Sequence, residues 1–182
     1  EAGLEEPVSV WRAYPHELSG GMQQRACVAM AMAGRPDLIV ADEPTTALDA
    51  VVRNRILDLL KSLRDRSAVS ILLISHDLGL LRRAADRIAV LYAGVDVETG
   101  AAEDVLACPR HPYTRLLRDC APSLENAGGP RRGIPGRIPR AGAWLPGCVF
   151  APRCPRAAEP CRRPVERTRE AARTVRCRFP LD

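Results

Sequence analysis

A chain of 182 residues, 46% hydrophobic and 27% charged, has ordinary globular composition and the length of one compact domain plus an appendage. Its net charge of +5 is carried almost wholly by arginine, Lys61 being the only lysine, and much of the excess lies beyond Arg131, where it reads first as a solvated surface and second as a face for nucleic acid or anionic lipid. No run approaches the roughly 18 to 20 apolar residues of a membrane helix, no signal-peptide order opens the chain, and seven cysteines in a cytosolic chain point away from a disulfide framework and toward metal or thiol chemistry.

Ser19 predicts an N-cap and Met22–Ala33 the helix behind it, ended at Gly34 before Arg35-Pro36. Leu38–Ala41 is a short apolar run with acids at its end, the pattern of a buried parallel strand. Val52, Ile56, Leu59, Leu60 and Leu63 recur at helical spacing with charges between them, which predicts an amphipathic helix. Val69–Ile74 repeats the strand pattern and closes on Ser75-His76-Asp77; a helix over Leu78–Ala85 and a strand over Arg87–Tyr92 follow. This alternation predicts an α/β fold on a parallel sheet. After about Gly100 the character changes. Short helices over Ala102–Ala107 and Tyr113–Cys120 are separated by Pro109 and Pro112, and from Pro122 onward Pro, Gly and Arg dominate. Such a composition predicts no conventional core, so the tail needs a cross-link, a docking surface, or no fixed structure at all.

Two acids at the carboxyl end of a strand stand where ligands bind in open α/β sheets. In phosphoryl-transfer sites a strand-end aspartate helps hold the Mg2+ that bridges phosphate oxygens, which suits Asp42; the next carboxylate, Glu43, is placed to polarise an attacking water. The plain alternative is a pair of acids leading into the next helix through Pro44-Thr45-Thr46. Leu18-Ser19-Gly20-Gly21 is an anion site on physical grounds: two glycines let backbone approach a ligand, and the helix behind them presents its amides and positive dipole end.

Leu18-Ser19-Gly20-Gly21-Met22-Gln23-Gln24-Arg25, followed by Leu38-Ile39-Val40-Ala41-Asp42-Glu43-Pro44-Thr45-Thr46-Ala47-Leu48-Asp49, resembles the signature motif and the Walker B/D-loop block of ABC-type ATPases. The resemblance implies the C-terminal part of a RecA-like nucleotide-binding domain that hydrolyses ATP with Mg2+ at a two-subunit interface. In that family the signature motif clamps the γ-phosphate of ATP on the opposite subunit, here through Ser19, Gly20, Gly21 and Gln23. Asp49 corresponds to the D-loop that crosses the interface, and His76 resembles the switch histidine that contacts the γ-phosphate. A Gly-x-x-x-x-Gly-Lys-Ser/Thr P-loop is not in the sequence: Lys61 precedes Ser62 but follows Leu60 inside the amphipathic helix. Because the family places that loop and the Q-loop upstream of the signature motif, the resemblance implies an N-terminally shortened ATPase, not expected to bind or hydrolyse ATP by itself.

His111-Pro112-Tyr113-Thr114, then Ile134-Pro135-Gly136, then Leu145-Pro146-Gly147-Cys148-Val149-Phe150-Ala151-Pro152-Arg153-Cys154-Pro155 resemble the C-terminal extension of oligopeptide and dipeptide importers. The expected division is 1–34 for the end of a helical subdomain, 35–100 for the α/β core and 101–182 for the extension. In that family the ATPase pairs with a second, related but distinct ATPase beneath two membrane permease subunits, fed by an extracytoplasmic solute-binding protein, which places it on the cytoplasmic face of the membrane without nucleic acid. ATPases for nickel, opines or other small solutes are the nearest alternative. A soluble ABC protein acting on nucleic acid or ribosomes is more distant, since Met22-Gln23-Gln24 stands where such proteins carry a charge. Cys148, Cys154, Cys161 and Cys177 are spaced x5, x6 and x15; four thiolates suit tetrahedral zinc or an iron–sulfur cluster. The family includes importers with a 4Fe–4S cluster in this region, with Zn2+ as the alternative and four reduced, packed cysteines as the plainest reading. Cys27 is expected in the core, Cys108 and Cys120 as incidental thiols.

Overall fold

The computed structural model describes residues 3–4, 6–46, 48–121, 133–140, 142 and 146–182, in two units, 1–76 and 77–182. Ala47 of the D-loop segment, Leu145 of the tail motif and positions 122–132 of the Pro/Gly/Arg-rich stretch lie outside the described residues.

The first unit starts with helix α1 (Pro7–Arg12) and a 3-10 turn at Pro15–Glu17. Helix α2 (Gly20–Ala33) follows, capped by Ser19, whose hydroxyl accepts the Met22 amide at 3.3 Å. Strand β1 (Leu38–Asp42), helix α3 (Ala50–Ser67) and strand β2 (Ser70–Ile74) then form a strand–helix–strand crossover. β1 and β2 pair in parallel, Leu38 opposite Ser70 and Asp42 opposite Ile74. The predicted apolar stripe of α3 is its buried face: Ile56, Leu59, Leu60 and Leu63 pack with Val28 of α2, against Ala41 of β1 and Ile71 of β2. Each such side chain contributes roughly 1.5–3 kcal/mol of burial. α2 lies close to α3 because its first turn lacks side chains; a Cβ on Gly21 would stand 2.8 Å from Val52 Cγ1 and one on Gly20 3.3 Å from Leu48 Cδ2. Val28 is the buried residue of α2, and Cys27 is exposed, contrary to expectation. Val28 and Met32, not Cys27, are the α2 residues that pack in the cluster with α3. The alternate residues of the two strands, Leu38, Val40, Leu72 and Ile74, are exposed as well.

In the second unit, α4 (Leu78–Ala84) is capped by Asp77, which accepts the Leu80 amide at 3.0 Å. Strands β3 (Arg87–Tyr92) and β4 (Val95–Ala101), helices α5 (Ala102–Ala107) and α6 (Pro112–Cys120), and strands β5 (Thr168–Glu170) and β6 (Arg173–Val175) complete it. β3 does not extend the parallel sheet. It begins an antiparallel sheet of order β3-β4-β6-β5. Ala93 and Gly94 sit at φ 49 and 78, a two-residue turn of the primed kind that sends the chain straight back into β4. β3 alternates strictly, burying Ile88, Val90 and Tyr92. β4 does not, because the register slips between Val90 and Leu91; Val97 is the extra residue, and both it and Glu98 end up buried.

The tail docks on this core, one of the three alternatives its composition left open. Val149 and Phe150 join Ile88, Val90, Tyr92, Val97, Val105 and Leu106. The fully buried Phe150 ring meets Tyr92 edge-on at 5.1 Å between centroids, with Tyr113 at 5.2 Å. One well-placed aromatic substitutes for the periodicity the segment lacks. Arg153 fastens the same region, donating to the carbonyls of Ile134 and Pro135 at 2.6 and 2.7 Å and to the Tyr92 hydroxyl at 3.2 Å. No helix among the described residues is long and apolar enough to cross a membrane.

Candidate functional site

Parallel pairing brings the carboxyl ends of β1 and β2 side by side, and the chain uses this at once. The Glu43 amide donates to the Ile74 carbonyl at 2.9 Å, continuing the ladder one residue past β1. Glu43 itself takes φ 47, a left-handed conformation uncommon for a residue with a side chain and typical of positions held by their surroundings. Its carboxylate thereby faces the loop after β2. Oε1 stands 2.7 Å from His76 Nδ1 and accepts the His76 amide at 3.0 Å, while Oε2 accepts the Thr46 hydroxyl at 2.9 Å. The hydrogen bond from His76, then that from Thr46, hold the Glu43 carboxyl below the ordinary carboxylate range against a small opposing effect of burial. The glutamate is therefore ionised across physiological pH. An ionised carboxylate only accepts, so Nδ1 of His76 is the protonated nitrogen, and the open edge of a ring 81% exposed carries Nε2.

Of the other predicted residues, Asp42 ends β1 and is exposed, one residue before Glu43. Asp49 is the N-cap of α3, one oxygen accepting the Val51 and Val52 amides, both at 2.9 Å. Ser19, Gly20, Gly21 and Gln23 gather at the start of α2. The Gln23 amide nitrogen donates to the Pro15 and Leu18 carbonyls at 2.6 and 3.2 Å, tying the 3-10 turn to the helix. Several signature residues thus also do structural work, Gly21 most clearly. By its sequence Thr46 is only part of a helix lead-in. Its hydroxyl reaches Glu43 through a turn whose geometry no sequence pattern announced.

In the second unit the four tail cysteines come together. Cys148, Cys154, Cys161 and Cys177 line one pocket, with His111, Arg156 and Arg178 also on its walls. Gly147 is what allows it: a Cβ there would land on the Cys161 carbonyl oxygen and the Arg162 backbone, and beside it the Cys148 amide donates to that same carbonyl at 2.8 Å. Cys148, Cys154 and Cys177 are half-buried and Cys161 is buried. Burial raises the first three thiols, Cys177 to about 11, with the neighbouring thiols adding to the rise and nearby backbone amides opposing it. Among the described residues no group of three or more His, Cys, Asp or Glu is arranged to hold a metal ion as it stands.

His111 belongs to this pocket, which its sequence position gave no means of seeing. It caps α6, its Nδ1 accepting the Tyr113 amide at 3.1 Å, and its own amide donates to Glu98 at 3.0 Å. Burial pushes its pKa down to about 4, the nearby Glu98 charge opposing. Nε2 is buried without a partner among the described residues, a situation costing about 1–3 kcal/mol. Glu98, also deeply buried, accepts from the Arg110 amide at 2.9 Å and from Arg173 Nε at 3.0 Å, so it joins β4, the turn before α6, and β6.

The family model described as "Oligopeptide/dipeptide transporter, C-terminal region" matches residues 97–161, and that described as "ABC transporter" matches residues 2–46. The chain is 42% identical over 177 residues to the oligopeptide transport ATP-binding protein AppD of Bacillus subtilis, the alignment covering 96% of this chain and 54% of that protein. It is 42% identical over 184 residues to the dipeptide transport ATP-binding protein DppD of Escherichia coli, covering 100% and 56%. The figure is again 42%, over 181 residues, for DppD of Haemophilus influenzae, covering 99% and 55%. The chain spans about half the length of the curated relatives it matches.

Proposed function

This chain belongs to the ABC transporter ATP-binding family and carries the oligopeptide/dipeptide transporter C-terminal region, and from that premise we propose that it forms part of the ATPase subunit that energises import of di- or oligopeptides. The observation that carries the reading is the Glu43–His76 contact at the joined ends of β1 and β2. A carboxylate kept ionised by three donor groups, two on His76 and one on Thr46, is a weak proton acceptor but a well-fixed one. Glu43 would orient and polarise the attacking water more than remove its proton outright. His76 would hold Glu43 through Nδ1 and present Nε2 to the γ-phosphate. Asp42 supplies a carboxylate suited to Mg2+, which would neutralise phosphate charge there. Ser19, Gly20, Gly21 and Gln23 would offer amides and the positive end of α2 to the γ-phosphate of a nucleotide held by a second ATPase subunit, with Asp49 in the segment between the two. The 182 residues hold no P-loop, so hydrolysis at Asp42–Glu43 depends on phosphate-binding backbone supplied from outside them. Two permease subunits and an extracytoplasmic binding protein would complete the assembly, on the cytoplasmic face of the membrane.

The test is Glu43→Gln in a reconstituted importer that supplies the P-loop. Peptide uptake and ATP turnover should be lost while ATP-dependent association of the ATPase subunits persists; undiminished turnover would refute the assignment.

For the tail, the reading is that Cys148, Cys154, Cys161 and Cys177 are the ligands of a metal centre, a 4Fe–4S cluster in the first instance and zinc in the second. Support comes from four thiols sharing one pocket, with two arginines beside them. Thiols that burial keeps protonated would give up their protons on binding a cation, which would supply the compensating positive charge. When bound, the centre would serve as a cross-link for a segment with few apolar residues. Iron and acid-labile sulfide in anaerobically purified protein support the cluster; stoichiometric zinc without iron selects the second metal.

A further inference from the structure

The second unit buries two polar side-chain atoms without hydrogen-bond partners among the described residues, His111 Nε2 and Thr114 Oγ1. Only His111 lines the four-cysteine pocket. Its other ring nitrogen is committed, since Nδ1 accepts the Tyr113 amide, and a nitrogen that accepts carries no proton. The proton therefore sits on Nε2. The ring cannot easily turn away: the residue is 1% exposed, its amide is held by Glu98, and it packs 6.1 Å between centroids from Phe150. The residue lines a sulfur-rich pocket, and its buried donor has no acceptor among the described residues. Neutral thiols are weak acceptors, whereas thiolates and bridging sulfides are strong ones.

We propose that His111 is a positioning residue for the metal centre, donating its Nε2–H to a sulfur atom of the four-cysteine site once that site is loaded. This rests on the reading of the cysteines as metal ligands. It adds a fifth residue to the site, from outside the cysteine segment, and ties the centre to the network in which Glu98 holds the Arg110 and His111 amides. Hydrogen bonds to sulfur stabilise the more negative state of a thiolate-bound centre. His111 should therefore raise the reduction potential of a cluster and slow the loss of either metal.

The intact protein is loaded anaerobically with iron and sulfide, and in parallel with zinc, as wild type, His111→Asn and His111→Gln. The Asn amide can keep the cap on α6 but does not reach the Nε2 position; the Gln amide reaches it. The Asn variant should lose either metal to a chelator about tenfold faster than wild type. Its cluster should titrate lower by an amount corresponding to about a tenfold change in the one-electron equilibrium, about 59 mV, and the Gln variant should recover much of both. Should the Asn variant not fold, nitrogen-15 NMR of the zinc-loaded wild type decides instead: the Nε2–H of His111 should shift and become protected from exchange on loading. Wild type that binds neither metal overturns the metal reading and this proposal with it. Metal bound with wild-type potential and release rate in His111→Asn, or an Nε2–H signal unmoved by loading, overturns the role of His111 alone.

Discussion

Glu43 and Gly147 show how much single positions settle here. The Glu43 pKa is lowered in the folded chain, so pairing with His76 and Thr46 stabilises the fold above the ordinary carboxylate value of about 4.3, and that contribution is lost as pH falls through the lower folded value. An NMR titration should place the Glu43 midpoint below that of an unstructured glutamate, and Thr46→Val should move it back upward; a midpoint unchanged by the substitution would remove Thr46 from the network. Gly147 matters for a steric reason. Its missing Cβ leaves room for the Cys161 carbonyl that the Cys148 amide binds. Gly147→Ala should destabilise the second unit by about 2–3 kcal/mol in denaturant unfolding and separate Cys148 from Cys161, seen as lower metal uptake.

Among the elements, legibility followed periodicity. α2, β1, α3 and β2 stand close to where caps and apolar spacing put them, because each has one face to bury and a clear stop such as Gly34 or Asp49. β4, β5 and β6 escaped. The bulge that buries Val97 and Glu98 together erases the alternation of β4, β5 and β6 are three residues each, and Ala93-Gly94 lacks the Asn or Asp that usually marks a primed turn. Ala93 pays for that with a left-handed φ of 49. Ala93→Asn should stabilise the β3–β4 hairpin by about 1 kcal/mol, the order of the left-handed penalty, read as a higher unfolding midpoint. The candidate site divides in the same way. Asp42, Glu43 and His76 were visible as strand-end residues, whereas Thr46 and His111 act through a turn and through long-range packing that have no local signature.

Across each whole unit, what lies far apart in sequence is joined by a few polar contacts. Glu98 is the clearest, accepting from Arg173 and from two amides of the Arg110-His111 turn while almost fully buried. Glu98→Ala would leave Arg173, 15% exposed in its side chain, without its carboxylate; a cost of about 3–5 kcal/mol is expected, measurable as a lowered denaturation midpoint. If the loss matched that of an exposed ion pair, the network would be incidental. The first unit also has such a contact in Glu43–His76, but it carries two strands whose outer residues, Leu38, Val40, Leu72 and Ile74, meet no cover among the described residues. A parallel pair normally has both faces shielded, and unpaired strand edges recruit further strands. At high concentration residues 1–76 handled apart should self-associate into larger species by light scattering, and Val40→Lys with Leu72→Lys should keep them dispersed. The same bare strands that align Glu43 with His76 make the solubility of this region a matter of what is laid over it.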